Sequence, residues 1–437
     1  MAVIEQIMQG MEKGRALYDE INNKRHAGNV RAGAAEKAVD TAGTETGSEL
    51  FLGDNIEYMN RLMAEGYAGR FNMIYIDPPF FTKSKFNASI DLRDSTGKTH
   101  KIHHLAYDDR FDRNLEYYVE NMTVRLLMMK DLLSDEGLMW VHLDWHSAHY
   151  IKIVMDELMG EKNFVNEIIW CYKSGGSGKR HFARKHDTIL VYSKTGRYYI
   201  DVPEEKSYNR GRKPYRFSGV EEFKDDYGWY TMVNMKDVWN IDMVGRTSGE
   251  RTGYATQKPV ELMKRIVGSS SREGDLIGDF FCGSGSLLES AQLLGRRWMG
   301  CDSEELAVSM TRRRLCSAGA EFSYSSGTDG KAEEGRANIK VHSKELLEDG
   351  RYLYSCSISE FVPDIDTGYI QLNDRQYVAE AMENDPLQFV DYIMAGNRMI
   401  NTDAGRGTIQ FIADDNVEVI ITDVFGRGYK AEIYQDI

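Results

Sequence analysis

Apolar positions recur along the chain with two different periods. Near the N-terminus, Val3, Ile4, Ile7, Met8, Met11, Leu17, Tyr18 and Ile21 fall at near-helical spacing, which predicts an amphipathic helix within residues 1–25. Its plain use is packing on its own domain, and the functional alternative is docking to a second chain. Residues 27–48 are rich in Ala, Gly and Thr without an apolar period and read as a linker. From Glu49 onward short apolar runs alternate with helical stretches. The pattern predicts a strand at Glu49–Leu52, a helix at Ile56–Glu65, a strand at Phe71–Ile76, a polar loop, and a long helix around Leu115–Leu133. Strands follow at Gly137–Leu143, Asn166–Trp170 and Thr188–Tyr192, then a helix at Val260–Ser269 and a strand at Asp275–Phe281. A helix at Ser286–Leu294 and a strand at Trp298–Asp302 complete the series. Such alternation predicts an α/β domain with a mainly parallel sheet. Beyond Ser317, alternating segments such as Tyr352–Ile358 and Asn416–Ile421 predict a separate strand-rich module. The expected organisation is a helix and linker over 1–48, a catalytic domain over 49–316 and a small C-terminal module over 317–437.

Composition narrows the class. The 437 residues have room for two or three domains, and a 42% hydrophobic, 28% charged mix buries a sizeable core. No run approaches the ~18 apolar residues of a membrane span, so no membrane partner is expected. The first residues carry no basic stretch followed by an apolar one, as a secretory signal would. Cys171, Cys282, Cys301, Cys316 and Cys356 are scattered, without the paired spacing of a disulfide framework or a zinc site. These features point to a cytoplasmic protein. The net charge of −14 argues against nucleic acid until its distribution is read. Residues from Ser317 to Ile437 hold 22 acidic and 10 basic side chains, whereas Lys173 to Arg216 holds 12 basic and 4 acidic. An acidic tail therefore hides a basic stretch.

Two motifs carry chemistry. Asp279-Phe-Phe-Cys-Gly-Ser-Gly-Ser286 lies between an apolar strand and a helix. Gly283 and Gly285 let the backbone turn sharply beside a ligand, and the helix start supplies free N–H groups. Seventeen residues after Gly285 the next strand ends at Asp302, an acid placed to accept hydrogen bonds from a ribose diol. The spacing is neither that of a dinucleotide fingerprint nor that of a P-loop. The second motif, Asp77-Pro78-Pro79-Phe80, ends a buried strand and uses two of the seven prolines. Rigid backbone there fixes a carboxylate, a carbonyl and an aromatic face together. Those groups suit the activation of an exocyclic amine on a base, with Phe80 stacking on the ring. His142, Asp144, His146 and His149 invite a metal reading. Strand-end and helix-start roles account for them, and no metal is expected.

Together the motifs resemble those of the amino-methylating DNA methyltransferases that use S-adenosylmethionine, in their circularly permuted beta-group order with the catalytic half first. The resemblance runs from Glu49 to Leu315. It covers Gly53-Asp-Asn-Ile-Glu57, Asp77-Pro-Pro-Phe80, His142-Leu-Asp144, His186-Asp-Thr-Ile-Leu-Val-Tyr-Ser-Lys194, Thr256-Gln-Lys-Pro-Val260, Phe281-Cys-Gly-Ser-Gly285 and Leu294-Gly-Arg-Arg-Trp-Met-Gly-Cys-Asp302. It implies a Rossmann-like catalytic domain in which Asp77, Pro78, Pro79 and Phe80 are catalytic. It also implies a cofactor site of Asp54, Asp77, Thr256, Gln257, Lys258, Pro259, Asp279, Phe281, Gly283, Gly285 and Asp302, with Lys258 and the adjoining helix start near the methionine carboxylate. The chain departs from the family in Phe280, where proline is usual, in Ser286-Leu287, where Thr-Thr is common, and in Trp145-His146.

The basic stretch falls between the two halves, with Tyr198, Tyr199, Tyr208, Tyr215 and Phe217 interleaved. Its run Ser174-Gly-Gly-Ser-Gly178 supplies flexible backbone. Residues 171–235 thus read as a target-recognition segment for double-stranded DNA, with Lys83, Lys179, Arg180, Arg184, Arg210, Arg212 and Lys213 as phosphate contacts. The expected reaction is methylation of adenine N6, with cytosine N4 the alternative. Cytosine C5 is excluded, because no cysteine follows a proline. A non-catalytic binding protein on the same fold is the alternative of another class. The acidic tail suggests a homodimer or a protein partner, and the host is expected to be bacterial or viral.

Overall fold

A computed structural model describes residues 2–27, 47–109, 114–173, 178–245, 247–327, 335–396, 398–401 and 405–435. Residues 28–46 of the expected linker and 174–177 of the Gly-Ser run lie outside the described residues. In chain order the elements begin with α1 (Val3–His26), β1 (Glu49–Leu52), α2 (Asn55–Ala64), β2 (Phe71–Ile76), β3 (Lys85–Arg93), β4 (Thr99–Asp108) and α3 (Leu115–Leu132). They continue with β5 (Leu133–Leu143), α4 (Ala148–Met155), β6 (Phe164–Cys171), β7 (His186–Ser193), β8 (Glu204–Tyr208), β9 (Phe223–Asp225), β10 (Gly228–Asn234) and β11 (Val238–Asn240). Next come α5 (Val260–Ser270), β12 (Leu276–Asp279), α6 (Ser286–Leu293), β13 (Arg297–Asp302), α7 (Glu305–Ser317) and β14 (Ser323–Ser326). The C-terminal part adds β15 (Arg336–Leu346), β16 (Tyr352–Val362), α8 (Leu372–Asn384), β17 (Val390–Ala395), β18 (Arg398–Asn401), β19 (Ile409–Ala413), β20 (Val419–Asp423) and β21 (Gly428–Gln435).

Among the described residues, nine strands form the main sheet in the order β11-β6-β7-β5-β2-β12-β13-β1-β14. All run parallel except β7, which is antiparallel to both β5 and β6. Alternation along β2 puts Ile74 and Ile76 in one helix-covered layer and Met73 and Tyr75 in the other. A parallel sheet buried on both faces has this construction. Chain connections diverge to either side of the neighbouring strands β2 and β12, and a crevice at such a switch point is where α/β sheets bind ligands. Asp77 follows β2 and Asp279 ends β12, so the two sequence motifs meet there.

Three expectations change. The polar loop after Phe80 is the antiparallel hairpin β3–β4. Its apolar residues Ala88, Ile90, Leu92, Ile102 and Ala106 alternate against the C-terminal module rather than against the main sheet. The domain boundary expected at 316 falls too early, because β14 pairs in parallel with β1 and covers what would be an exposed sheet edge. The C-terminal part is strand-rich, with a seven-stranded sheet and helix α8, but it is not separate. Its Ile339, Val378, Phe389 and Ile421 share one core with the hairpin and with Tyr254. Asp374 accepts from the His103 backbone N–H at 2.9 Å, and Asp385 from Ser95 N–H at 2.8 Å. No helix among the described residues is long and apolar enough to cross a membrane.

Helix α1 packs on α3, and Ile7 joins the apolar core on one face of the main sheet. Gly10 and Gly14, one turn apart, face α3 so closely that a Cβ would lie 2.5 Å from the Glu116 carbonyl oxygen and 2.6 Å from Thr123 Cβ, respectively. Gly14→Leu is therefore expected to cost about 1–3 kcal/mol through overpacking, read as a lowered midpoint in chemical denaturation. An unchanged midpoint would show that α1 contributes nothing to stability.

Candidate active site

At the switch point a cavity of about 250 Å³ is lined by residues from both motifs, among them Asp77, Pro78, Pro79, Phe80, Asp279, Phe281, Gly283 and Asp302. The backbone after Pro79 is held from below. Tyr118 on α3 donates to the Pro79 carbonyl at 3.0 Å. Asp109, almost fully buried, accepts from the N–H groups of Phe81 at 3.0 Å and Thr82 at 2.8 Å, and from the Thr82 hydroxyl at 2.5 Å. The Phe80 ring is backed by His142, with centroids 6.1 Å apart and planes 17° apart. His142 is itself buried between the Tyr75 hydroxyl at 2.9 Å and Asp187 at 3.2 Å.

Asp77 is placed for an acceptor's role. One carboxylate oxygen is ion-paired with Lys258, while Oδ1 is buried without a hydrogen-bond partner among the described residues. Lys258 thus faces Asp77 rather than standing free for an anion. The start of α5 is also occupied, since Val260 N–H donates to Glu250 at 3.1 Å. Gln257 braces the loop before that helix. Its amide accepts from Thr252 N–H at 2.9 Å and donates to the Glu250 carbonyl at 2.6 Å. Thr256 holds φ near 61°, a strained value for a β-branched residue, and its hydroxyl meets Tyr107 of the hairpin at 3.3 Å. Pro259 caps α5.

On the opposite wall, Asp302 accepts from Gly283 N–H at 2.9 Å and from Glu304 N–H at 3.1 Å. Gly285, at φ 75°, lies where a Cβ would stand 2.7 Å from Thr311. Asp54 caps α2 through Ile56 N–H at 2.8 Å and pairs with Arg125 at 3.3 Å. The family departures have local reasons. Phe280 turns into the core against Phe71 and Tyr58, and the Ser286 hydroxyl accepts from Arg314 at 2.7 Å.

The cavity is crowded with acid. Burial, reinforced by the charges of Asp77 and Asp302, pushes the Asp279 carboxyl well above its usual value, and burial raises Asp302 as well. Glu304, which also lines the cavity, is pushed up to about 7 by burial and then by Asp302. Such a wall favours a cationic ligand carrying hydroxyls. Because the folded Glu304 value exceeds the unfolded one near 4.5, its ionisation opposes folding. The ligand-free chain is expected to lose stability as pH rises from about 5 through 7, and Glu304→Gln to flatten part of that slope. Thermal unfolding at pH 5 and pH 7 measures it. Asp423, buried in the C-terminal module and also raised to about 7, adds to the same slope.

The seven expected phosphate contacts, Lys83, Lys179, Arg180, Arg184, Arg210, Arg212 and Lys213, are all at the surface. They lie beside different elements. Lys179, Arg180 and Arg184 precede β7 at the same sheet end as Asp77, whereas Arg210, Arg212 and Lys213 lie beside the small sheet β8-β10-β9. Sequence reasoning missed Asp109, Tyr118, Arg125 and Glu304. Only Glu304, two residues after Asp302, stood close enough to a motif to be found.

Residues 71–313 match the DNA methylase family of N6 and N4 enzymes. The type II methyltransferase M.EcaI of Enterobacter cloacae is 30% identical over 323 residues, covering 60% of this chain and 68% of that protein. M2.DpnII of Streptococcus pneumoniae is 26% identical, over 61% of this chain and 88% of its own length. Among solved structures, a PvuII DNA methyltransferase described as cytosine-N4-specific aligns with 61% of this chain and 86% of its own at 14% identity, with a TM-score of 0.42. With more than half of its length inside the family profile, the chain belongs to the DNA methylase family and is a DNA methyltransferase.

Proposed function

We propose that the protein methylates the N6 amino group of adenine at a specific site in double-stranded DNA, using S-adenosylmethionine. The observation that carries this reading is the unpartnered Oδ1 of Asp77, a residue that lines the cavity together with Pro78 and Phe80. The residues fit the cofactor. Asp302, at the end of β13 in the cavity wall, suits a ribose diol, and the acids around it suit a ligand bearing a sulfonium and an ammonium group. S-adenosylmethionine, when bound, supplies a methyl group on a positively charged sulfur that leaves as a neutral thioether.

The protein's task is to present the amine. Asp77 Oδ1 accepts one N–H of the base and the Pro78 carbonyl accepts the other, which favours a pyramidal nitrogen with its lone pair exposed. Lys258 fixes the second Asp77 oxygen, so the carboxylate cannot rotate away. Phe80, backed by His142, stacks on the base. The surplus amine proton leaves to Asp77 and from there to water.

Asp at the first position of the motif favours adenine, and cytosine N4 is the second reading. Residues 171–235 are proposed as the target-recognition segment. The net −12 of the tail keeps it from phosphates and favours a protein partner or a second copy. Light scattering of the full chain tests self-association, and a monomer mass rules it out. Nucleoside mass spectrometry of DNA from an expressing host that lacks methyltransferases tests the reaction. N6-methyladenine is expected, N4-methylcytosine would replace the base, and the absence of both products would overturn the reading.

A further inference from the structure

We propose that Phe182 is the wedge that enters the DNA base stack beside the extruded target base. The inference rests on the DNA methyltransferase reading of the Asp77 site. Asp77 lies within a cavity, so the target base must leave the duplex to reach it, and the stack it leaves needs a replacement. Apolar side chains inserted between base steps perform that task in proteins that distort DNA.

Phe182 is 99% exposed, although solvent exposure of a whole phenyl ring is unfavourable for the isolated protein. Its position is set from both sides. Strand β7 begins at His186, which pairs with Cys171, and Thr188 pairs with Leu143, so residues 178–185 emerge at the sheet end that carries Asp77. Asp187 bonds His142, and His142 backs Phe80. Arg184 lays its guanidinium 3.8 Å from the centre of the Trp145 ring, which is itself 44% exposed at the end of β5. Two residues before that anchor stands Phe182, and five residues before Asp187. Five residues span at most about 17 Å, so Phe182 lies no farther than that from Asp187, at the sheet end that carries Asp77.

Charge selects the occupant. Phe182 is flanked by Lys179, Arg180 and Arg184, all exposed. An aromatic ring amid cations fits stacked bases between phosphates, not an apolar protein groove.

The test compares two duplexes carrying the recognition site mapped from genomic DNA of the expressing host, one fully paired and one with an abasic position opposite the target. Labelled methyl transfer is measured under single-turnover conditions. Phe182→Ala is expected to lose 10- to 100-fold on the paired duplex and less than 3-fold on the abasic one, where extrusion is already easy. Phe182→Leu is expected to retain most activity on both. Equal losses of Phe182→Ala on the two duplexes, or no loss on either, would overturn the wedge. An inactive wild-type chain would instead overturn the catalytic reading beneath it.

Discussion

Asp77→Ala is expected to lose methyl transfer by about 10³-fold or more, since it removes the acceptor proposed to orient the reacting amine. The same change strands Lys258, whose side chain is only 8% exposed. A buried ammonium without its partner costs about 3–5 kcal/mol, so the single variant confounds lost chemistry with lost stability. The double variant Asp77→Ala, Lys258→Met separates them. It is expected to recover the thermal midpoint while methyl transfer stays at background. Recovery of activity together with the midpoint would show that Asp77 acts through folding alone and would end its catalytic role.

Asp109→Ala carries the second large effect, and it concerns a residue that no motif marks. Its carboxylate gathers three donors from Phe81 and Thr82 immediately after the Asp77–Phe80 tetrapeptide. Losing it leaves buried donors unpaired, at about 1–3 kcal/mol each where water cannot reach them. It also frees the backbone that aims Phe80, and displacements of about 1 Å cost ~10²-fold in rate. The expected result is a drop of about that size in kcat with KM changed less, measured on duplex DNA. Asp109 is a positioning residue and touches no reacting atom. A rise in KM with kcat intact would mean that it serves DNA binding instead.

These two carboxylates show how differently information is distributed in the chain. Asp77 was legible because a carboxylate, two prolines and an aromatic at the end of an apolar strand form a local pattern with local meaning. Gly283, Gly285 and Asp302 were legible for the same reason, and the strands bearing them follow from apolar runs of ordinary length. Asp109 was not legible, since its partners lie 27 and 28 residues away across a hairpin that read as a polar loop. The hairpin itself was hidden because its alternation makes sense only against the C-terminal core, more than 200 residues downstream.

Lys258 gives the sharpest case. Its motif suggested an anion-binding role at a helix start. Packing instead brings its ammonium to Asp77, 181 residues earlier, and the first N–H of α5 goes to Glu250. Sequence alone determined the α/β class, the two motifs, and the contrast between a basic middle and an acidic tail, because periodicity and side-chain chemistry act within a few residues. Tertiary structure alone decided which oxygen of Asp77 stays free, what aims Phe80, and that the acidic tail walls the active-site hairpin. Those outcomes depend on which distant surfaces exclude water together, and no local pattern records that choice.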